Sequence, residues 1–322
     1  MDRRNFTKLA SGLAGGLFFP SIALATQKLP KVIKIIVPFS PGGSNDVFAR
    51  ALADQLGQDL KISVIIENRP GAGGSMGSAA AAQARPDGAT LLLTSNSIVT
   101  NNAVMAKPAF DPVDSFKHIS ILNKGPSLII VNGKSPYNEL TEFITAIKEE
   151  KINQYASAGI GSSAHLASEM LNHGLNSDLL HVPYKGISNA AIDIGGDLID
   201  MVITTSASVS GQIKTGILKP IGVTSLEPSP FFKDLTPLSK HIPGYDIEAW
   251  WGIFAPNDTP QWIAELLNEK ITEIAFKEKM LNLFENEATV PVAMQLDEIK
   301  EFVRVERDKY IEIARNRNIK PI

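Results

Sequence analysis

Three times along this chain a run of strand length ends in a glycine-rich turn that opens directly into a helix. That arrangement restricts the fold more than any other feature. In the first instance the β-branched run 32–37 leads through Pro38-Phe39-Ser40-Pro41-Gly42-Gly43-Ser44-Asn45-Asp46 into residues 47–56, whose apolar side chains recur at helical spacing. In the second, residues 62–67 lead through Asn68-Arg69-Pro70-Gly71-Ala72-Gly73-Gly74-Ser75-Met76-Gly77 into an alanine-rich helix. The third, Ser157-Ala158-Gly159-Ile160-Gly161-Ser162-Ser163-Ala164-His165, joins a short strand to a helix that Ser162 or Ser163 can cap. Units of this kind build a sheet with helices laid against its faces. Each also leaves unpaired backbone N–H groups at the positive end of a helix, where a small anion is stabilised.

The same alternation runs through the rest of the chain. Further strands are expected over 90–94, 119–122, 128–131, 179–182, 201–204, 219–223 and 251–254. Further helices are expected over 140–150, 163–172, 190–195, 206–214, 261–275, 277–286 and 296–317. The pattern predicts an α/β fold with largely parallel sheets, in which ligands sit beyond the carboxyl ends of strands. Two stretches break the rhythm: Lys124-Gly125-Pro126-Ser127, and the proline-rich run from Thr224 to Tyr245. Read as crossovers, they put residues 26–124 and 226–322 in one lobe and residues 125–225 in another. Two lobes joined twice, with a hinge and a cleft between them, make a binding architecture.

The turns carry no nucleotide or hydrolase signature. No Lys-Ser/Thr follows the glycines of the second, and Met76 stands where G-x-G-x-x-G would need its last glycine. The third contains no G-x-S-x-G. The five histidines show no metal-ligand spacing, and the chain has no cysteine, which removes thiol catalysis, thiolate metal sites and disulfides. The expectation is therefore a binder with no cofactor and no metal. A rival reading is a periplasmic enzyme acting on a small carboxylate, with His165 and Asp46 as acid–base candidates, but no spacing pairs them. His165 reads more simply as a hydrogen-bonded helix residue, and Asp46 and Asp193 as residues that fix loops. Lys185 offers positive charge to a cleft or a solvated lysine, and Thr204-Thr205-Ser206-Ala207-Ser208 offers hydroxyls where a sheet meets the cleft. Of Trp250 and Trp251, one belongs to the core and the other lines an opening.

Charge and the N-terminus set the compartment. Of the formal net charge of −3, the first 25 residues contribute +2, so the remainder is more acidic still, and nucleic acid is not an expected partner. Arg3-Arg4-Asn5-Phe6-Thr7-Lys8 is a basic, twin-arginine-like start, followed by a weakly apolar stretch and the A-x-A site Ala23-Leu24-Ala25. Residues 1–25 thus read as an export signal cleaved after about Ala25, by the twin-arginine or the general secretory route. Gly12, Gly15, Gly16 and Pro20 argue against a membrane anchor.

In order along the chain stand Val37-Pro38-Phe39-Ser40-Pro41-Gly42-Gly43-Ser44-Asn45-Asp46, Glu67-Asn68-Arg69-Pro70-Gly71-Ala72-Gly73-Gly74, Arg85-Pro86-Asp87-Gly88, Gly159-Ile160-Gly161-Ser162, His181-Val182-Pro183-Tyr184-Lys185-Gly186 and Trp251-Gly252-Ile253-Phe254-Ala255-Pro256. In these segments the chain resembles the Bug family, the periplasmic solute receptors of tripartite tricarboxylate transporters. The resemblance implies a two-lobed fold of the type II periplasmic-binding-protein class that closes on one small carboxylate, amino acids and aromatic acids included. It also implies a monomer that hands its solute to membrane permease subunits. A sensor subunit of the same fold, without a permease, is the alternative. Carried over residue by residue, the ligand lies between Phe39, Gly42, Gly43, Ser44 and Asp46 on one lobe and Ser157, Gly159, Gly161, Ser162 and His165 on the other. Gly73, Ser95 and Thr204 complete the set. Ser40 departs from the family's usual second proline, which loosens the first turn or adds a hydroxyl to the pocket.

Overall fold

The computed structural model describes residues 28–316 and 319, so the export segment and Arg317 lie outside the described residues. The chain runs β1 (Val32–Val37), α1 (Ser44–Leu60), β2 (Ser63–Asn68), α2 (Ser75–Ala82), β3 (Thr90–Ser95), α3 (Ser97–Val104) and β4 (Phe116–Asn132). It continues through α4 (Leu140–Lys148), β5 (Gln154–Ser157), α5 (Ser163–Leu175), β6 (Leu180–Pro183), α6 (Ile187–Gly195), β7 (Met201–Thr205), α7 (Ser210–Lys214) and β8 (Leu218–Val223). It ends with β9 (Glu248–Pro256), α8 (Gln261–Ala275), α9 (Glu278–Asn286), β10 (Val290–Pro291) and α10 (Leu296–Asn316).

The strands form one curled sheet in the order β2-β1-β3-β9-β4-β7-β5-β6, with β8 and β10 also paired to β4. Each half has a parallel nucleus, β2-β1-β3 in the first and β6-β5-β7 in the second. The strands between them are antiparallel: β9 pairs with both β3 and the first part of β4, and β7 and β8 pair with the last part of β4. The sheet is therefore mixed, less parallel than the βα alternation predicts, because strands that return from one half to the other must run against their neighbours.

A second difference lies at Lys124–Ser127. Instead of a break between two short strands, β4 is one 17-residue strand that passes from the first lobe into the second. Pro126 is tolerated there for a structural reason. On one edge β10 stops at Lys124 and β7 begins at Ser127, so the missing N–H falls where no partner strand lies. The second passage is tied to the first: Thr224 N–H donates to Ser127 O (3.0 Å) and Ile247 N–H to Thr224 O (3.1 Å).

Helix α1 shows how a glycine turn is held in place. Its buried face, Phe48, Ala49, Leu52, Ala53 and Leu56, follows the 3.6 period and packs with Ile33, Ile35 and Leu93 from the sheet. Phe48 meets the Trp251 ring edge-on at 4.7 Å. Burying such a side chain contributes about 1.5–3 kcal/mol, so the start of α1 is fixed against β9. The helix ends at Lys61, whose left-handed backbone (φ 54°) returns an N–H to Gly57 O. Packing is not confined lobe by lobe: one buried cluster joins Ile36, Leu92 and Ile98 to Tyr155, Leu166 and Met201, and a further case is Phe39. It leaves β1 in the first lobe yet lies 5% exposed among Leu128, Ala156, Ala158 and Ile187 of the second.

Candidate ligand-binding site

Beyond the carboxyl ends of β1, β3, β5 and β7 lies a cavity of about 40 Å³, room for about three waters as the lobes stand. Four helix starts converge on it. Gly43, Ser44 and Asn45 come from α1, Asn96 and Ser97 from α3, Ser163 and Ala164 from α5, and Gly186 and Ile187 from α6. The N-caps of α1, α3 and α6 (Gly43, Asn96 and Gly186) make no side-chain cap hydrogen bond. The first-turn N–H groups of Ser44 and Asn45 have no acceptor among the described residues. Phe39, Trp251 and Ile203 give the wall its apolar part, and Ser40, Ser95, Ser127, Thr204, Thr205 and Ser208 bring hydroxyls to it. None of the wall residues carries a charge.

Of the residues expected from sequence, Phe39, Gly43, Ser44, Ser95 and Thr204 stand together on this wall. Gly42, Asp46, Gly73, Ser157, Gly159, Gly161, Ser162 and His165 stand off it, and each supports a turn. Asp46 accepts from Gly42 N–H (3.0 Å), from Arg50 on both oxygens (2.9 Å each) and from Asn68 (3.0 Å), which also donates to Phe39 O (3.1 Å). Burial pushes the Asp46 carboxyl up, but Arg50, the Gly42 N–H and Asn68 together hold it below the usual carboxylate range. Asp46 is thus an ionised strut of the first turn, the loop-fixing role.

The other two turns meet each other. A methyl group added at Gly73 would sit 2.0 Å from Ile160 O and 2.7 Å from Ser162 N, in a backbone already at φ +60°. Only a glycine at position 73 lets the backbone of Ile160 and Ser162 come this close. Asn101 of α3 donates to Gly73 O (2.8 Å) and Thr100 to Gly161 O (2.8 Å), so α3 clamps both turns at once. The small residues of the second turn therefore admit a second backbone.

Two histidines brace the third turn from behind. His165 Nδ1 accepts from Gly161 N–H (3.3 Å), and Ser162 Oγ caps α5 by accepting from His165 N–H (3.3 Å). Ser157 Oγ is hydrogen-bonded to His181 Nε2 at 2.6 Å and accepts from Gly159 N–H at 3.0 Å. The His165 and His181 rings stack at 4.3 Å, and His181 stacks on Tyr155 at 4.9 Å. Burial holds both imidazoles down at about 4, His181 also through its neighbour His165, so both are neutral at pH 7. With Asp46 and His165 each committed to a turn, neither is poised as an acid or base toward the cavity.

The lobes are closed. Ser40 N–H donates to Lys185 O (3.3 Å), Ser188 Oγ to Pro41 O (2.9 Å) and Ser163 N–H to Ser97 Oγ (3.1 Å) across the cleft. Lys185 itself is exposed and lies off the wall. Trp251 lines the cavity, while Trp250 packs on Phe302 at 5.3 Å and donates to Glu306 (2.9 Å).

Sequence reasoning did not find α3, nor the wall residues Asn96 and Ser97 that open it. No glycine turn precedes this helix; the available signal was Ser95-Asn96-Ser97 at the end of a strand, a capping pattern without a glycine flag.

A mixed sheet of two lobes, crossed twice and closed over a cavity at strand ends, is the architecture of periplasmic binding proteins. The family description "Tripartite tricarboxylate transporter family receptor" matches residues 48–319, and the chain belongs to this family of periplasmic receptors. BugT of Bordetella pertussis is 29% identical over 325 residues, covering 98% of this chain and 99% of that protein. A UPF0065 protein from the tcbD-tcbE intergenic region of Pseudomonas sp. (strain P51) is 33% identical over 242 residues, covering 74% of this chain and 72% of the relative. The structure of the periplasmic binding protein BugD superposes with a TM-score of 0.86 at 28% identity, covering 90% of this chain and 98% of that one. MatC (Rpa3494) from Rhodopseudomonas palustris with bound malate has the same fold, with a TM-score of 0.83 at 24% identity over 88% of this chain and 98% of that one.

Proposed function

We propose that this receptor closes its lobes on one small carboxylate, held by backbone N–H groups and hydroxyls, and presents it to the membrane subunits of a tripartite tricarboxylate-type transporter. The observation that carries this reading is the meeting of four helix starts on a wall without a charged side chain. An anion there is stabilised by helix dipoles, each contributing about 0.3–1 kcal/mol and up to ~2 when partly buried. Four such ends supply a large share of the roughly −8 kcal/mol of micromolar binding, with hydroxyl hydrogen bonds adding the rest. The mature protein begins at about Thr26 after signal cleavage and works as a monomer. Phe39, Gly43, Ser44, Ser95 and Thr204 touch the solute; Asp46, Gly73, Ser157, Gly159, Gly161, Ser162, His165 and Gly42 shape the turns that do.

A thermal-shift screen of the refolded mature chain tests the reading, with mono-, di- and tricarboxylates, acidic amino acids, aromatic acids and neutral amides. A ligand at 100 times its dissociation constant adds about 2.7 kcal/mol, a rise of several degrees for a chain this long. Hits among carboxylates are expected. A panel in which only neutral compounds raise the melting temperature overturns the proposal.

A further inference from the structure

The segment Pro183-Tyr184-Lys185 lies off the cavity wall, and the cavity gives it no role. With Asn189, Ile192 and Asp193 of α6 and Ser40 of the first turn, it lines a depression of about 530 Å³ on the outer surface. Volumes of about 300–1,000 Å³ are those of sites that enclose a whole ligand or a few inserted side chains. Ser40 belongs to the first lobe and the other lining residues to the second, so the depression is complete only while the lobes are closed. The seam between them is tight. Ser40 N–H donates to Lys185 O (3.3 Å), Ser188 Oγ donates to Pro41 O (2.9 Å), and a Cβ placed on Gly186 would lie 3.1 Å from Ser40 Cβ.

Ile192 is 70% exposed, more than any other large apolar side chain among the described residues, and Leu198, just past the end of α6, is 67% exposed. Apolar side chains left in water beside a depression mark a contact surface. Two charged side chains line it. Asp193 accepts from Tyr184 Oη (2.6 Å), whereas the Lys185 ammonium has neither a hydrogen bond nor an ion pair among the described residues.

Resting on the transport reading above, we infer that this depression is where the transporter's membrane subunit reads the closed receptor. The partner is an extracytoplasmic segment that sets a carboxylate against Lys185 and an apolar side chain against Ile192 and Pro183. Because one wall comes from each lobe, the contact favours the closed form over the open one, and the partner need not touch the solute. Charge selects the segment: an acidic group neutralises the free ammonium, and a basic one meets it with like charge. An anionic lipid surface is a poorer fit, since a single ammonium beside Asp193 falls short of the basic cluster that such a surface holds.

Uptake of a radiolabelled carboxylate, taken from the hits of the thermal-shift screen, tests this in the bacterium that makes the protein, with calorimetry on the same purified variants. Deleting the receptor should abolish uptake; uptake that survives deletion overturns the transport reading itself. Lys185→Glu and Ile192→Asp should bind the solute within about threefold of wild type yet cut uptake at least about tenfold, the effect of reversing a charge or removing an anchor at an interface. Lys185→Arg should transport like wild type, and Lys185→Gln should fall between. Val305→Asp, which adds a charge at an exposed position on α10 of the first lobe, should transport normally. Both test side chains are exposed, so the fold should survive, and the melting temperature of each variant checks it; Asn189→Arg, which fills the depression from a third exposed position, should also cut uptake. Wild-type uptake by Lys185→Glu and Ile192→Asp, equal uptake by Lys185→Arg and Lys185→Glu, or a loss of uptake matched by a loss of solute affinity overturns this inference and leaves transport standing.

Discussion

Replacing Gly43 by Asp separates recognition of the anion from the fold that presents it. Gly43 caps α1 with an ordinary extended backbone (φ −86°), and a Cβ placed on it meets nothing within 4 Å. Aspartate is also a better N-cap than glycine by a few tenths of a kcal/mol. The ligand-free protein should therefore melt within about 2 °C of wild type. Binding should collapse. A carboxylate at the cap lies about 4 Å from where the solute's carboxylate meets the α1 N–H groups, and at an effective dielectric of about 20 that repulsion is about 4 kcal/mol. A micromolar solute would become millimolar, about three decades weaker. The Asp side chain also claims the Asn45 N–H for itself, in the same direction. Gly43→Asn is the matched control, with similar size and capping ability but no charge, and should retain far more of the affinity than Gly43→Asp. Calorimetry with a carboxylate identified in the thermal-shift screen reads the difference. A Gly43→Asp protein that binds within threefold of wild type, with its melting temperature intact, would remove the α1 start from the site.

Two further outcomes follow from the turns behind the wall. Gly73→Ala should weaken binding by at least about tenfold although Gly73 touches no part of the cavity, because its methyl would collide with Ile160 O when the lobes close; ligand titration with small-angle scattering, which should show a more open protein, checks this, and wild-type affinity would refute it. Stability should fall with acid. His165 and His181 are held at about 4 by burial, against an ordinary 6.5. Groups harder to protonate when folded give stability that is complete above about pH 6.5 and lost as pH drops toward 4. The melting temperature of the ligand-free protein should decline across that window, and His181→Phe, which keeps a ring in the stack, should flatten the decline. An unchanged melting temperature between pH 7 and 4.5 would contradict the buried neutral pair.

How much of this was legible in the chain depended on whether the signal was local. Strand, turn and helix are near neighbours in sequence, so Pro38–Asp46 and Ser157–His165 announced themselves, and so did the hydroxyl run at Thr204–Ser208. What a turn faces is set by packing between segments far apart. Gly73, Gly159 and Gly161 read like ligand loops because glycine admits close approach, and the sequence does not say whether the approaching group is a solute or a second backbone. Asn96 was silent for the opposite reason. Its partners, Glu248 and Tyr310, are 152 and 214 residues away, so nothing near it marks the amide as fixed. Gly125-Pro126 is a local breaker and divides β4 in two by sequence alone, while the gap between β10 and β7 that accommodates it is a property of the assembled sheet.

Closure and recognition draw on the same residues. Ser97 Oγ accepts the Ser163 N–H of the opposite lobe and lies 3.1 Å from Ser95 Oγ, and all three side chains are on the wall. A solute that engages this cluster finds its full set of partners only when the lobes meet, so the free energy of binding is also the free energy that favours closing. The direct cross-cleft bonds each contribute about 0.5–1.5 kcal/mol net of hydration, a balance to which the solute adds its own contacts. Against that balance the two glycine substitutions act at opposite ends. Gly43→Asp leaves the interlocked turns free to close but offers the anion a like charge. Gly73→Ala leaves the anion site intact but keeps the turns apart. If binding falls in both while only Gly73→Ala expands the protein in solution, the dipole clamp and the latch are separate parts of one receptor; if both expand it equally, the first turn acts through closure and not through the anion.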